Sequence, residues 1–261
     1  MELKVEKLGK RFQKRWILKD IDFQVKSGEI VMLLGANATG KTTLLKLIAT
    51  IYKPTSGKIF LNGIDVSKSP KYMRERVSYI PEVPILVNEL SSDENIRFFA
   101  RLYSFKGDLE ELKKEFGLED GKKPASKLSK GMRQRLSIAA AMMKDPAVVV
   151  MDEPTNGLDR ETVSFILKLI KKLSNQGKIV IVSSHDEEDI SKVATRVFVL
   201  EDGILLCDKP MEEVQRNRIA EIEVNGKIKQ VRLCELKNMK DYKILRVFGI
   251  RESIVKALPQ K

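Results

Sequence analysis

Asp152 and Glu153 stand side by side at the end of an apolar run, AVVVMD, with Pro154 immediately behind them. Two carboxylates of different length at the mouth of a buried strand suit two separate tasks. One can hold a cation, and the longer one can position or deprotonate a water. A second chemical stretch, GANATGKTT from Gly35 to Thr43, follows the run IVMLL and precedes a helical pattern. It fits the phosphate-loop spacing G-x-x-x-x-G-K-[ST] in its strand–loop–helix context. Gly35, Ala36, Asn37, Ala38, Thr39 and Gly40 supply a curled backbone whose N–H groups form an anion nest. The helix that begins near Lys41, Thr42 and Thr43 adds the positive end of its dipole. Lys41 is placed to reach the β- and γ-phosphates of a nucleotide, and the Thr42 hydroxyl to coordinate Mg²⁺. Asp152 then completes the acidic side of the magnesium shell, through water, and Glu153 reaches a water in line with the γ-phosphate.

The elements that position these groups are legible in outline. Unbroken apolar runs at 30–35, 147–152, 179–184 and 196–203 predict parallel strands covered on both faces. Helical pattern follows at 41–51, 160–174 and 186–194, which is α/β order. The opening, with Leu3, Val5, Leu8, Leu18, Ile21, Phe23 and Val25, reads as strands of period two, and Asn62-Gly63 in KIFLNGIDV as a hairpin turn. From about 85 to 145 the pattern is helical without strands. SSDENIRFFARLY opens on an N-cap series, and SKGMRQRLSIAAAMMK aligns Met132, Leu136, Ala139, Ala140 and Met143 on one face. A second hairpin is expected around Asn225-Gly226.

Phosphate loop and paired acids together carry a resemblance. The sequence looks like the nucleotide-binding subunit of an ATP-binding-cassette (ABC) transporter over roughly residues 1–215. LSKGMRQR (128–135) resembles the family signature, DEPTNGLD (152–159) its Walker B segment and D-loop, SSH (183–185) its switch, and YIPE (79–82) its Q-loop, in the family's order. The resemblance implies a P-loop NTPase, RecA-like α/β core with an antiparallel β subdomain and an inserted α-helical subdomain at about 85–145, followed by a small basic extension, 216–261. It implies that His185, the one histidine in the chain, contacts the γ-phosphate. It implies that Ser129, Lys130 and Gly131 cap the ATP held by a second cassette subunit, with Asp159 along that interface and ATP and Mg²⁺ between the copies. Phe12, or else Trp16, matches the adenine-stacking aromatic. Five departures stand out. Ala38 replaces a glycine of the loop, tolerable if its φ stays negative. Glu82 replaces the Q-loop glutamine that ligates Mg²⁺. Lys130 replaces a signature glycine and Met132 its glutamine. Arg160 stands where proline is common.

Composition narrows the function. A hydrophobic content of 43% over 261 residues supports a sizeable core. Cys207 and Cys234 do not form a C-x-x-C pair, so neither a zinc site nor a disulfide scaffold is expected. No apolar run reaches the length of a membrane span, and the opening residues lack a signal-peptide core. The expectation is a soluble, cytoplasmic protein peripheral on the inner membrane face through transmembrane permease subunits. Segment 83–92 would dock to them. Net charge is +12, and residues 216–261 hold 12 Lys/Arg against 5 Asp/Glu. That charge keeps open an alternative, a soluble cassette ATPase acting on nucleic acid or ribosomes. One cassette and no heptad run favour transport, and the ATPase reads as an exporter's. A P-loop kinase would have no use for the signature.

Overall fold

The structure, a computed structural model, describes all residues except 119–120, 186, 225–226, 233–234, 236–241 and 258–261. Strands β1 (Glu2–Phe12) and β2 (Arg15–Lys26) pair antiparallel. The odd step from Val5 to Leu8 is absorbed by a register shift beside Lys7, which adopts a left-handed φ of 44°. This bulge returns Leu8 to the buried face. Strand β3 (Ile30–Leu34) is buried throughout and leads into helix α1 (Lys41–Ile48), three residues shorter than the pattern suggests. Strands β4 (Ser56–Leu61) and β5 (Ile64–Asp65) make the expected hairpin, with Asn62 and Gly63 both at positive φ. They join β1 and β2 in one antiparallel sheet.

Helix α2 (Pro70–Arg76) leads into β6 (Val77–Ile80). The helical insertion follows as α3 (Ser92–Leu102), α4 (Leu109–Phe116) and α5 (Lys130–Met142). Ser91 and Glu94 form a reciprocal capping box at the start of α3, which explains the abrupt onset of helix there. The chain returns through β7 (Val148–Asp152), α6 (Arg160–Asn175), β8 (Ile179–Ser184), β9 (Arg196–Glu201) and β10 (Ile204–Pro210). Strand order in the main sheet is β10-β9-β3-β8-β7-β6. The pairs from β9 to β6 are parallel, and β10 alone runs antiparallel on β9. The sheet packs between two apolar layers: α5 and α6 on one side, α1 and the antiparallel sheet on the other.

Two expectations are corrected here. The helix expected over 186–194 does not form across 187–194, the residues described there; only a short 3₁₀ turn, Ile190–Lys192, is helical. Only Ile190 of that turn is buried, and Glu187, Glu188 and Asp189 put three acids where an apolar stripe would be needed. The strand expected over 196–203 forms but ends at Glu201. Asp202 and Gly203, both at positive φ, turn it into the β9–β10 hairpin. Helix α7 (Met211–Arg216) then leads to a small sheet of β11 (Ile219–Val224), β12 (Lys227–Arg232) and β13 (Tyr242–Val247), with α8 (Ile250–Ala257) behind it. Asn225-Gly226 lies outside the described residues, but the strands flanking it pair antiparallel as a hairpin requires. Cys234 also lies outside them. Polar contacts tie the small sheet and its helix to the core. Glu187 accepts a hydrogen bond from the Ile250 N–H, and Arg251 forms a two-pronged pair with Glu201.

Arg196 joins the two main sheets. Its guanidinium grips both oxygens of Asp208 at 2.6 and 2.7 Å, donates to the Gln24 carbonyl at 2.7 Å and approaches Glu29 at 3.2 Å. A lysine has no planar fork to satisfy these three partners together. Arg196→Lys is expected to lower unfolding free energy by about 1–2 kcal/mol, measured by urea denaturation. An unchanged midpoint would show that the fork is dispensable.

Candidate active site

Strand register assembles the site. Leu34 of β3 lies opposite Ser184 of β8, and Asp152 of β7 lies opposite Ser183. The phosphate loop and the paired acids therefore leave the same C-terminal edge of the sheet, where ligands of open α/β sheets bind. Gly35 turns the chain out of β3 in close quarters: an added Cβ would sit 2.5 Å from the Leu200 carbonyl and 2.6 Å from Thr39 Oγ1. Gly40, at φ 108°, opens α1 without a side-chain cap. The first N–H groups of that helix are thus not claimed by a capping side chain, as an anion site requires.

Ala38 departs from its expectation. Its φ is +65°, in the left-handed region, not negative. The loop curls through a left-handed conformation here, as backbone anion nests do, and the alanine bears the steric cost a glycine would avoid. Thr39 steadies the loop by donating its hydroxyl to the Ala36 carbonyl at 3.0 Å.

Asp152 is 4% exposed, so its carboxylate needs donors. Ser183 Oγ donates to Oδ1 at 2.6 Å and Tyr79 donates its hydroxyl to Oδ2 at 3.1 Å. Burial, then the charge of Asp152, pushes the Tyr79 hydroxyl well above the usual phenol range, so it remains a donor. Ser183 has a second task. Its oxygen accepts the Glu153 N–H at 3.0 Å. Glu153 itself is left-handed, at φ 47°. Successive residues of a strand point to opposite faces; this turn redirects the second acid. Its Oε1 lies 3.6 Å from Lys41 Nζ, and its Oε2 lies 2.8 Å from His185 Nδ1 and 3.2 Å from the His185 N–H. Lys41 also donates to the Gly35 carbonyl at 2.8 Å and to that of Ala36 at 3.2 Å. Lysine, glutamate and histidine thus form one cluster at the sheet edge, its histidine half open to solvent.

The structure groups the other expected residues elsewhere. Ser129 is the N-cap of α5 and accepts the Met132 N–H at 3.2 Å. Lys130 Nζ donates to the Asn156 carbonyl at 2.6 Å. Gly131 is packed against the start of α6, where a Cβ would meet Thr162 Oγ1 at 2.5 Å and Asp159 Oδ2 at 3.1 Å. Asp159 caps α6, accepting from the Thr162 N–H at 2.8 Å and its hydroxyl at 3.0 Å, and those bonds hold its carboxyl below the usual range. Arg160 is the exposed first residue of α6. No hydrogen bond or ion pair among the described residues links 129–131 to the phosphate loop of the same chain. Glu82 Oε1 accepts from Asn156 Nδ2 at 2.9 Å, which sets it at the D-loop segment. Phe12 sits near the β1–β2 hairpin tip, edge-on to Tyr52 at 5.4 Å with Lys10 Nζ 4.9 Å above its ring. Trp16 flanks it in the pairing and carries Arg11 over its ring. Both rings are about two-fifths exposed. Thr42 is exposed on the first turn of α1.

Sequence reasoning singled out neither Ser183, Tyr79 nor Asn156. Each lies inside a recognised segment; for Ser183 and Tyr79 the signal available was that a buried acid requires nearby donors, and for Asn156 there was none.

Three comparisons bear on these features. A family model described as "ABC transporter" matches residues 18–156. The ABC transporter ATP-binding protein NatA of Bacillus subtilis is 31% identical over 82% of this chain and 91% of its own. The bacitracin transport ATP-binding protein BcrA of Enterococcus faecalis is 32% identical over 97% of this chain and 85% of its own. Among solved structures, a dimeric bacterial ABC transporter cassette superposes with a TM-score of 0.72 at 26% identity, covering 80% of this chain and 98% of that one.

Ser183→Ala would leave the Glu153 N–H and one Asp152 oxygen without a partner. Unfolding free energy is expected to fall by about 1–3 kcal/mol, and ATP turnover by about tenfold or more as both acids lose their fixed places. Full activity together with full stability would refute the bridging role. Tyr79 gives a pH signature. Its folded value is raised, so its stabilising contribution is complete below the ordinary phenol value of 10.0 and is lost as pH climbs toward the folded value. Tyr79→Phe should flatten the alkaline decline of stability relative to the parent protein; parallel pH curves for the two would contradict it.

Proposed function

This chain belongs to the ABC transporter family, and from that premise we propose that it is the ATPase subunit of a membrane exporter, closing on ATP together with a second cassette subunit. The observation that carries the catalytic part is the cluster of Lys41, Glu153 and His185. Glu153 orients the attacking water and takes its proton, and His185 holds the carboxylate and faces the γ-phosphate. Lys41 transfers its hydrogen bonds from the loop carbonyls to phosphate oxygens. Phe12 offers a ring for adenine.

The residues at hand fit a magnesium ion. Thr42 and Asp152 present hard oxygen donors, and each Asp152 oxygen accepts only one hydrogen bond from the side chains described above. Among the described residues no group of three or more His, Cys, Asp or Glu could hold a metal alone. Phosphate oxygens and waters would therefore fill much of the shell, as Mg²⁺ prefers. When bound, the ion neutralises and aligns the phosphates. Glu82, engaged with Asn156, is the further carboxylate available to it.

Two features support the subunit's partners. The signature residues sit on a helix start that does not serve the chain's own phosphate loop, which suits a site completed by a second copy or a paralogous cassette. Val83 and Ile85 are 73% and 70% exposed at the head of segment 83–92, an apolar pair suited to permease subunits. No helix among the described residues is long and apolar enough to cross a membrane, so membrane attachment rests on those partners. A relative named as a Nod factor export ATP-binding protein supports the export direction.

Glu153→Gln tests the reading. ATP binding should persist, turnover should fall by about 10²–10⁴-fold, and the protein should accumulate as a nucleotide-bound dimer by light scattering. Undiminished turnover would remove Glu153 from the catalytic role.

A further inference from the structure

Two departures from the family pattern, Glu82 and Lys130, meet on one residue. Lys130 Nζ donates to the main-chain carbonyl of Asn156 at 2.6 Å, while Asn156 Nδ2 donates to Glu82 Oε1 at 2.9 Å. Three segments far apart in sequence are joined: the strand-end segment after β6, the turn between β7 and α6, and the first turn of α5. The turn is shaped to receive the lysine. Gly157 has φ 62°, and a Cβ there would lie 2.8 Å from Lys130 Nζ. On its other side, the same turn of α5 is pressed on Asp159 and Thr162 through Gly131.

We propose that Lys130, Asn156 and Glu82 form an intrachain strut that fixes the signature end of α5 against the catalytic core, with Lys130 and Glu82 as positioning residues of opposite charge. This rests on the reading that a partner's ATP is capped by the signature. The links are in series. Asn156 holds Glu82 by its side chain and Lys130 by its backbone, so loss of either outer residue breaks the path from the helical insertion to the Glu82 segment. The ammonium and carboxylate balance one another across the asparagine, so the extra negative charge at position 82 arrives with its own counter-charge.

Two measurements on the full chain test this. In the nucleotide-free protein, hydrogen exchange at 130–133 should speed up in both Lys130→Met and Glu82→Ala by about three- to tenfold, the worth of one charge-assisted hydrogen bond that is partly solvated. Unchanged exchange in either variant overturns the strut, whether or not dimers form. In the Glu153→Gln background with MgATP, each substitution should weaken dimerisation by a similar factor. The double variant should be no weaker than about the larger single, because a series path breaks once. Effects that multiply in the double variant, or singles that dimerise like the parent, also overturn it. A Glu153→Gln parent that never dimerises defeats the shared-site reading alone, and the exchange result then decides the strut.

Discussion

The site depends on the Ser183 hydroxyl. A carboxylate buried to the extent of Asp152 is tolerable only with donors aimed at it, and Ser183 provides one while receiving the Glu153 N–H on the same oxygen. One atom thus satisfies the first acid and fixes the backbone from which the second departs. The β7–β8 register that places Ser183 opposite Asp152 belongs to a fully buried, parallel pair. A shift of one residue would expose alternate side chains to the wrong layer. Core packing and acid placement are therefore the same constraint.

That constraint leaves Glu153 in contact with the His185 ring but only loosely paired with Lys41. Lys41 stands 3.6 Å from Glu153 and is held chiefly by two loop carbonyls. Neutral acceptors are easily exchanged for phosphate oxygens, whereas a buried contact ion pair would resist. The left-handed backbone at Ala38 and Glu153 fits the same picture, since unfavourable dihedrals gather where a site dictates geometry.

Much of this was legible in the residues. Solid Val/Ile/Leu runs gave the central strands, and Asn62-Gly63 gave its hairpin, because local composition and burial agree there. The phosphate loop was readable because only glycine-rich backbone can curl so tightly. Other features were not. The sign of φ at Ala38 is set by the loop as a whole, and alanine carries no mark of it. The strand at 196 stops two residues before its reading does, because Asp202 and Gly203 take positive φ and turn the chain. Helical pattern at 186–194 failed because the periodicity there lacked buried partners. Asn156, ordinary in type, owes its position to residues 26 and 74 places away, a relation that no local window contains.

The contact between Glu187 and the start of α8 has a mechanical consequence. Only two residue steps separate it from His185, and two steps of chain extend to about 7 Å at most. The small terminal sheet and its helix are therefore on a short leash. If they swing farther than that leash allows, either the carboxylate lets go or the imidazole is dragged off its glutamate. Whatever grips the small terminal sheet holds a lever on the ring that touches Glu153.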